Sequence, residues 1–168
     1  PTQAWGTRYL TYHMLNNTNT DINDPFKNFY RIAVDDPTTV VRRNGTPMTG
    51  LVNNFYYEII DSTGGDYITA DKPIMVAQYT PGGNRCWNTS SIAYGDPEMI
   101  YLSPVEQGSK DALFYANRKT FIDFNYLNVM VQTTGIPSLR LDGAPFDPAN
   151  IITHPNNPAY SVAVARIF

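Results

Sequence analysis

A chain of 168 residues, 42% of them hydrophobic and with 12 Tyr and 8 Phe, can bury a domain-sized core, which argues against intrinsic disorder. Charged residues make up 16% and the formal net charge is -3, so the clustered Lys and Arg of a nucleic-acid surface are missing. No apolar run approaches the ~18–20 residues that a membrane-spanning helix needs.

Taken in chain order, the sequence reads as short β-runs separated by turns, with no convincing helix. Runs rich in Val, Ile, Thr, Tyr and Phe predict strands at residues 9–14, 29–34, 39–43, 55–60 and 73–79. In the second half they predict strands at 99–102, 112–115, 120–124, 127–132, 138–141 and 160–167. The 13 Pro and 11 Gly are spread through the connections, so no Pro-rich linker divides the chain.

Asn19, Asp21 and Asn23 place oxygen side chains at alternate positions, as a calcium loop begins. The sixth position is then Asp24 rather than Gly and the twelfth is Tyr30 rather than Glu. Asp21 and Asp24 stand as candidate ligands of a calcium site outside that pattern; the alternative is a solvated acidic loop.

The most informative feature is a repeat. Asn28-Phe29-Tyr30-Arg31-Ile32-Ala33-Val34 is echoed by Asn125-Tyr126-Leu127-Asn128-Val129-Met130-Val131, 97 positions later. Val40-Val41-Arg42-Arg43-Asn44-Gly45-Thr46-Pro47 is echoed by Leu139-Arg140-Leu141-Asp142-Gly143-Ala144-Pro145, 98 positions on from Gly45 to Gly143. Ile74-Met75-Val76-Ala77 matches Val162-Ala163-Val164-Ala165 more loosely. Asn44-Gly45 and Asp142-Gly143 are hairpin signals, because a type I′ turn needs positive φ at both central positions. Pro47 and Pro145 should sit at a strand edge or leave the sheet. Strand and turn chemistry recurs, whereas no acid, base or metal ligand recurs with it.

Residues 82–95 form a turn-rich seam around Cys86, Trp87 and Tyr94. A single Cys gives no internal disulfide, leaving a partner elsewhere or a free thiol. Trp87 and Tyr94, in a Gly/Asn/Ser-rich loop, are the candidate ligand-binding aromatics, able to stack on sugars or anchor a protein partner. Tyr56, Tyr57 and Tyr101 lie in strands and read as core filling. Asp96, Glu98 and Glu106 could form a glycosidase pair only at the right separation, and Glu98 and Glu106 bracket a strand as edge charges do. His13 and His154 lie in no metal-ligand spacing and read as structural or surface histidines. Asn16, Asn44 and Asn88 fit the N-glycosylation pattern, and Asp61-Ser62-Thr63 fits a short O-glycosylation pattern.

The run Asp66-Tyr67-Ile68-Thr69-Ala70-Asp71-Lys72-Pro73-Ile74-Met75-Val76-Ala77-Gln78-Tyr79 resembles the N-terminal domain of the IgGFc-binding protein and its relatives in large secreted bacterial surface proteins. So does Gly95-Asp96-Pro97-Glu98-Met99-Ile100-Tyr101-Leu102-Ser103-Pro104-Val105-Glu106-Gln107. The resemblance covers most of the chain. It implies an all-β, extracellular, non-enzymatic role in adhesion, mucus or surface layers, and supplies no catalytic residues. From the residues themselves, Asp71-Lys72-Pro73 reads as a turn feeding a buried strand.

The expected fold is all-β: a β-sandwich-like unit of two pseudo-repeats at about 5–80 and 96–168, with β-propeller-like blades as the alternative. Residues 1–168 read as one module, and the start at Pro1 and blunt apolar end suggest a segment of a longer protein. The expected function is a non-enzymatic, extracellular or cell-surface structural or adhesion module without a cofactor. Its expected partners are neighbouring modules, other surface proteins or glycans. A carbohydrate-binding module is the alternative and a glycoside hydrolase a more distant one.

Overall fold

A computed structural model describes residues 2–14, 28–62, 64–80, 98–117 and 125–167. The fold is all-β: antiparallel sheets carry the described residues, and helix is confined to short 3₁₀ turns. Contacts divide the chain into two compact units, residues 1–13 with 25–110 and residues 14–24 with 111–168.

The first unit holds β1 (Gly6–Leu10), β2 (Asn28–Val34), β3 (Val41–Arg43), β4 (Thr46–Pro47), β5 (Tyr56–Ser62), β6 (Tyr67–Thr80) and β7 (Glu98–Tyr101) in one sheet of order β4-β3-β6-β2-β5. The 14-residue β6 is its spine. β3 and β2 share one edge of β6, because Ile68 to Ala70 face β3 while Ile74 to Tyr79 face β2. β1 and β7 share the other edge. Alternate residues of β2 and β5, and of β6 at Ile74 and Val76, point inward, as a two-residue period requires. Tyr30, Ile32 and Val34 of β2, Tyr57 and Ile59 of β5, and Ile68, Ile74 and Val76 of β6 form the core with Tyr9 and Val41.

The second unit holds β8 (Asn125–Gln132), β9 (Arg140–Leu141), β10 (Ala144–Pro145), β11 (Ile151–Thr153) and β12 (Tyr160–Ile167). Three strands form a sheet of order β11-β12-β8, and β9-β10 is a separate hairpin. Val162, Ala163 and Val164 of β12 are buried.

The two stretches matched in sequence form hairpins of the same turn geometry. Arg43 pairs with Thr46 around Asn44-Gly45, and Leu141 pairs with Ala144 around Asp142-Gly143. Both turns have positive φ at both central residues, as type I′ demands. Pro47 and Pro145 each face an arginine, Arg42 and Arg140, at a non-hydrogen-bonded position of their hairpin, where a missing N–H costs no ladder bond. β8 against β12 repeats β2 against β6, displaced by one residue from the sequence match. Val34 faces Ile74, whereas Val131 faces Ser161, the residue before Val162. The third strand lies differently in the two units: β5 flanks β2, but β11 flanks β12.

Several expectations are corrected. No turn occurs at Asp71-Lys72-Pro73; β6 runs straight through it. Pro73 is tolerated because it falls between the β3 and β2 ladders on one edge and inside an irregularity of the β1 ladder on the other, between Thr69 and Ile74. The first strand is Gly6–Leu10, and Thr11 beyond it exchanges bonds with Asp66 instead. Residues 112–115 form no strand, and Leu113 and Tyr115 are almost fully exposed. The strand at Ile151–Thr153 was hidden by its brevity. The expectations at residues 82–95 and 120–124 lie outside the described residues.

Candidate binding surface

Within the first unit, the sheet face opposite the core is composed of the intervening residues of β5, β2, β6 and β7. Its central row runs Glu58, Arg31, Ala77, Tyr101 across four strands. A second row places Phe29, Tyr79 and Met99 side by side, and a third Tyr56, Ala33 and Met75. Arg31 is the only charged residue that β2 carries, and strand alternation aims it away from the core.

Arg31 is held from three directions. Its Nε donates to Glu58 Oε1 at 2.9 Å. Its guanidinium carbon lies 5.1 Å from the Tyr56 ring centre and 5.7 Å from that of Tyr79. The two rings are diagonal neighbours on opposite sides of β2, so the planar cation is bracketed by aromatic faces. The hydrogen bond to Glu58 is the main reason that the Arg31 pKa rises, partly opposed by desolvation. The Arg31 side chain is nonetheless 53% exposed, so the group is fixed in place yet available to a partner.

Apolar groups surround it. Tyr101 is 61% exposed, Ile60 61% and Met99 44%. This corrects the reading of Tyr101 as core; β7 flanks β6 at the margin of the sheet and all four of its residues are exposed. Tyr57 does enter the core, while Tyr56 lies on the outward face beneath Arg31. A fixed arginine among exposed aromatic, Met and Ile side chains has the composition of a protein-binding hot spot.

The residues singled out from sequence are distributed as follows. Trp87, Tyr94, Asp21, Asp24, Cys86 and Asp96 lie outside the described residues. Glu106 accepts from Thr7 Oγ1 at 2.7 Å and Arg8 Nε at 3.0 Å, tying the turn at Val105–Gln107 to β1. Desolvation pushes its pKa up, but the Thr7, backbone and Arg8 hydrogen bonds outweigh this and hold it below the ordinary glutamate value. A carboxyl so held is a structural anion and a poor proton donor at neutral pH. Glu98 is exposed on β7. His13 and His154 are both buried, and His154 Nδ1 accepts from Asn156 N–H in a turn. Asn44 donates to Asp66 and accepts from Tyr67 N–H, so its side chain is occupied in the turn rather than presented as a glycan acceptor. Among the described residues no group of three or more His, Cys, Asp or Glu is arranged to hold a metal.

The Asp-Lys-Pro run has a structural explanation. Asp71 Oδ1 accepts from Val40 N–H at 2.9 Å, and Lys72 Nζ donates to Asp36 and, at 2.6 Å, to Thr38 Oγ1. These bonds fasten the β2–β3 connection across the middle of β6. Asp66 does the same for the hairpin tip, accepting from Arg43 Nε at 2.9 Å and Asn44 Nδ2 at 2.7 Å while itself nearly buried.

Sequence reasoning missed Arg31 and its neighbours. The signal was present in the alternation of β2, where Phe29, Arg31 and Ala33 interleave with the apolar Tyr30, Ile32 and Val34. A family model described as IgGFc binding protein matches residues 1–167. No curated protein and no solved structure gives a significant match.

Proposed function

The chain belongs to the IgGFc-binding protein family, and from that premise we propose that it is a non-enzymatic, extracellular adhesion module that binds a protein partner through the outward face of the β5-β2-β6-β7 sheet. The family suggests an extracellular binding or structural module, which supports this class of function. The observation that carries the reading is Arg31, clamped between Tyr56 and Tyr79 and bonded to Glu58, at the centre of an exposed apolar face. Fixing the guanidinium in the free protein lowers the entropy lost when a partner is bound. The single match from residue 1 to residue 167 supports treating both compact units as one module built on two pseudo-repeats. Its place is a large surface or filament-forming protein, where neighbouring modules supply further contacts.

The test is adhesion of the purified chain to a mucin-type secreted glycoprotein, intact and enzymatically deglycosylated. Binding that survives deglycosylation and falls about tenfold or more with Arg31→Ala and Tyr101→Ser supports the proposal. Binding that disappears on deglycosylation makes the chain a carbohydrate-binding module instead. Turnover of a glycan that is lost with Glu98→Gln or Glu106→Gln would overturn the non-enzymatic reading.

A further inference from the structure

The duplicated hairpin is seated in one unit and unseated in the other. In the first unit Val41 is fully buried, Met48 packs on the core, and β3 runs along Ile68 to Ala70 of β6. Their counterparts 98 positions later are Leu139 and Phe146, both only half-buried. Among the described residues β9 has β10 as its strand neighbour and nothing along its other edge. The hairpin also borders a cleft of about 480 Å³, whose lining includes Ile136, Leu139, Pro145, Phe146 and Ile151 together with the polar Arg140, Thr153 and Ser161.

We propose that the β9 edge accepts an extended strand donated by another protein, which pairs with β9 as β6 pairs with β3. The backbone is prepared for it. Leu141 and Ala144 close the two-residue turn, so antiparallel alternation turns the N–H and C=O of Arg140 away from β10. Arg42, the matching residue, directs the same groups toward Thr69 of β6. The β9 edge thus displays a ladder position of the kind that strand addition fills.

The side chains specify which strand fits. In the first unit the hairpin tip holds a carboxylate, with Arg43 and Asn44 both donating to Asp66. The equivalent positions in the second unit are Leu141 and the exposed Asp142. Asp142 repels an aspartate there and attracts a cation, which disfavours β6 of a second copy as the occupant. Arg140 Nη1 is held by the carbonyls of Pro137 and Leu139 at 2.8 and 2.9 Å, which fixes a cation opposite the residue that replaces Thr69. Leu139 and Leu141 call for apolar partners. The donated strand therefore reads basic, any residue, apolar, acidic, small apolar. This inference is independent of the Arg31 surface, which belongs to the other unit.

The test is an NMR titration of the full chain with a capped peptide Lys-Thr-Ile-Glu-Ala-Thr and its charge-reversed form Glu-Thr-Ile-Lys-Ala-Thr. The expected result is saturable shifts at the amides of residues 139–141 and 146, with the reversed peptide about two- to fivefold weaker. Asp142→Asn keeps the turn chemistry that Asn44 uses and should abolish most of the preference at position one. Phe146→Ser should weaken both peptides about tenfold. Equal binding of the two peptides, shifts confined to other residues, or no binding at millimolar peptide overturns the proposal. So does self-association of the free chain that perturbs the same amides.

Discussion

Asn44 and Asp142 hold the same left-handed backbone, with φ of 51° and 50°, and each precedes a glycine, Gly45 at 84° and Gly143 at 82°. A β-carbon on either glycine would meet no atom within 4 Å, so the cost of a side chain there is conformational, not steric packing. Gly45→Val and Gly143→Val should each destabilise the protein by about 1–2 kcal/mol, with the alanine variants costing less. Denaturant midpoints check this, and an unchanged midpoint for Gly143→Val would contradict the turn assignment.

Those turns were legible because Asn-Gly and Asp-Gly carry their own stereochemical reason, independent of what packs around them. The last strand was legible to the residue, 160–167, since a continuous apolar run from Val162 to Ala165 followed an Asn- and Pro-rich turn signal. Pro73 misled, because a local rule placed a turn where β6 continues through a gap between neighbouring ladders. The run at 112–115 misled for the opposite reason: its apolar residues suit a strand, but strand formation needs a partner. Arg31 was invisible for a different cause. Its significance lies in Tyr56 and Tyr79, which are 25 and 48 residues away in sequence and become neighbours only through the strand order β5-β2-β6.

The bond from Lys72 to Asp36 gives a pH signature. The Lys72 hydrogen bond, helped by the Thr38 backbone and hydroxyl, lowers the Asp36 pKa from 3.8 to about 2. A depressed carboxylate stabilises the fold above its unfolded pKa and loses that contribution as pH falls through the folded value. Stability should therefore decline between about pH 4 and pH 2, and Asp36→Asn should flatten that part of the profile. Asp36 is exposed, so the effect is small and should shrink in high salt. Thermal melts of both proteins from pH 6 to pH 2 at two ionic strengths provide the check.

The alkaline limb should report Tyr30. Its side chain is buried, and desolvation raises its pKa well above the ordinary tyrosine value of 10.0, opposed by a hydrogen bond with Thr11 and reinforced by Asp66. The unfolded chain then ionises before the folded one, so stability is full below about pH 10 and falls as pH rises beyond it. Tyr30→Phe removes this ionisation and should make the protein lose less stability between neutral pH and pH 11. It should also cost about 1–2 kcal/mol at neutral pH, because the hydroxyl's hydrogen bonds with Thr11 and, at 3.4 Å, with the Tyr12 carbonyl are lost. Parallel denaturation curves at pH 7 and pH 11 separate the two effects.

Arg31 provides the sharpest separation of charge from shape. Arg31→Lys keeps the positive charge opposite Glu58 but loses the planar group that lies between Tyr56 and Tyr79. Because all three partners are on an exposed face, Arg31→Lys should cost folding stability only about 0.5–1 kcal/mol. Its effect on partner binding should be larger than that, since a flexible ammonium is no longer pre-positioned and must be ordered when the complex forms. Tyr101→Ser, which removes exposed apolar surface without touching Arg31, should weaken binding and leave the melting temperature within a degree or so. Two proteins with near-native melting curves and clearly weaker adhesion would place recognition on this face. If Arg31→Lys binds as tightly as the parent chain, the clamped guanidinium is structural decoration, and recognition must be sought on other parts of the module.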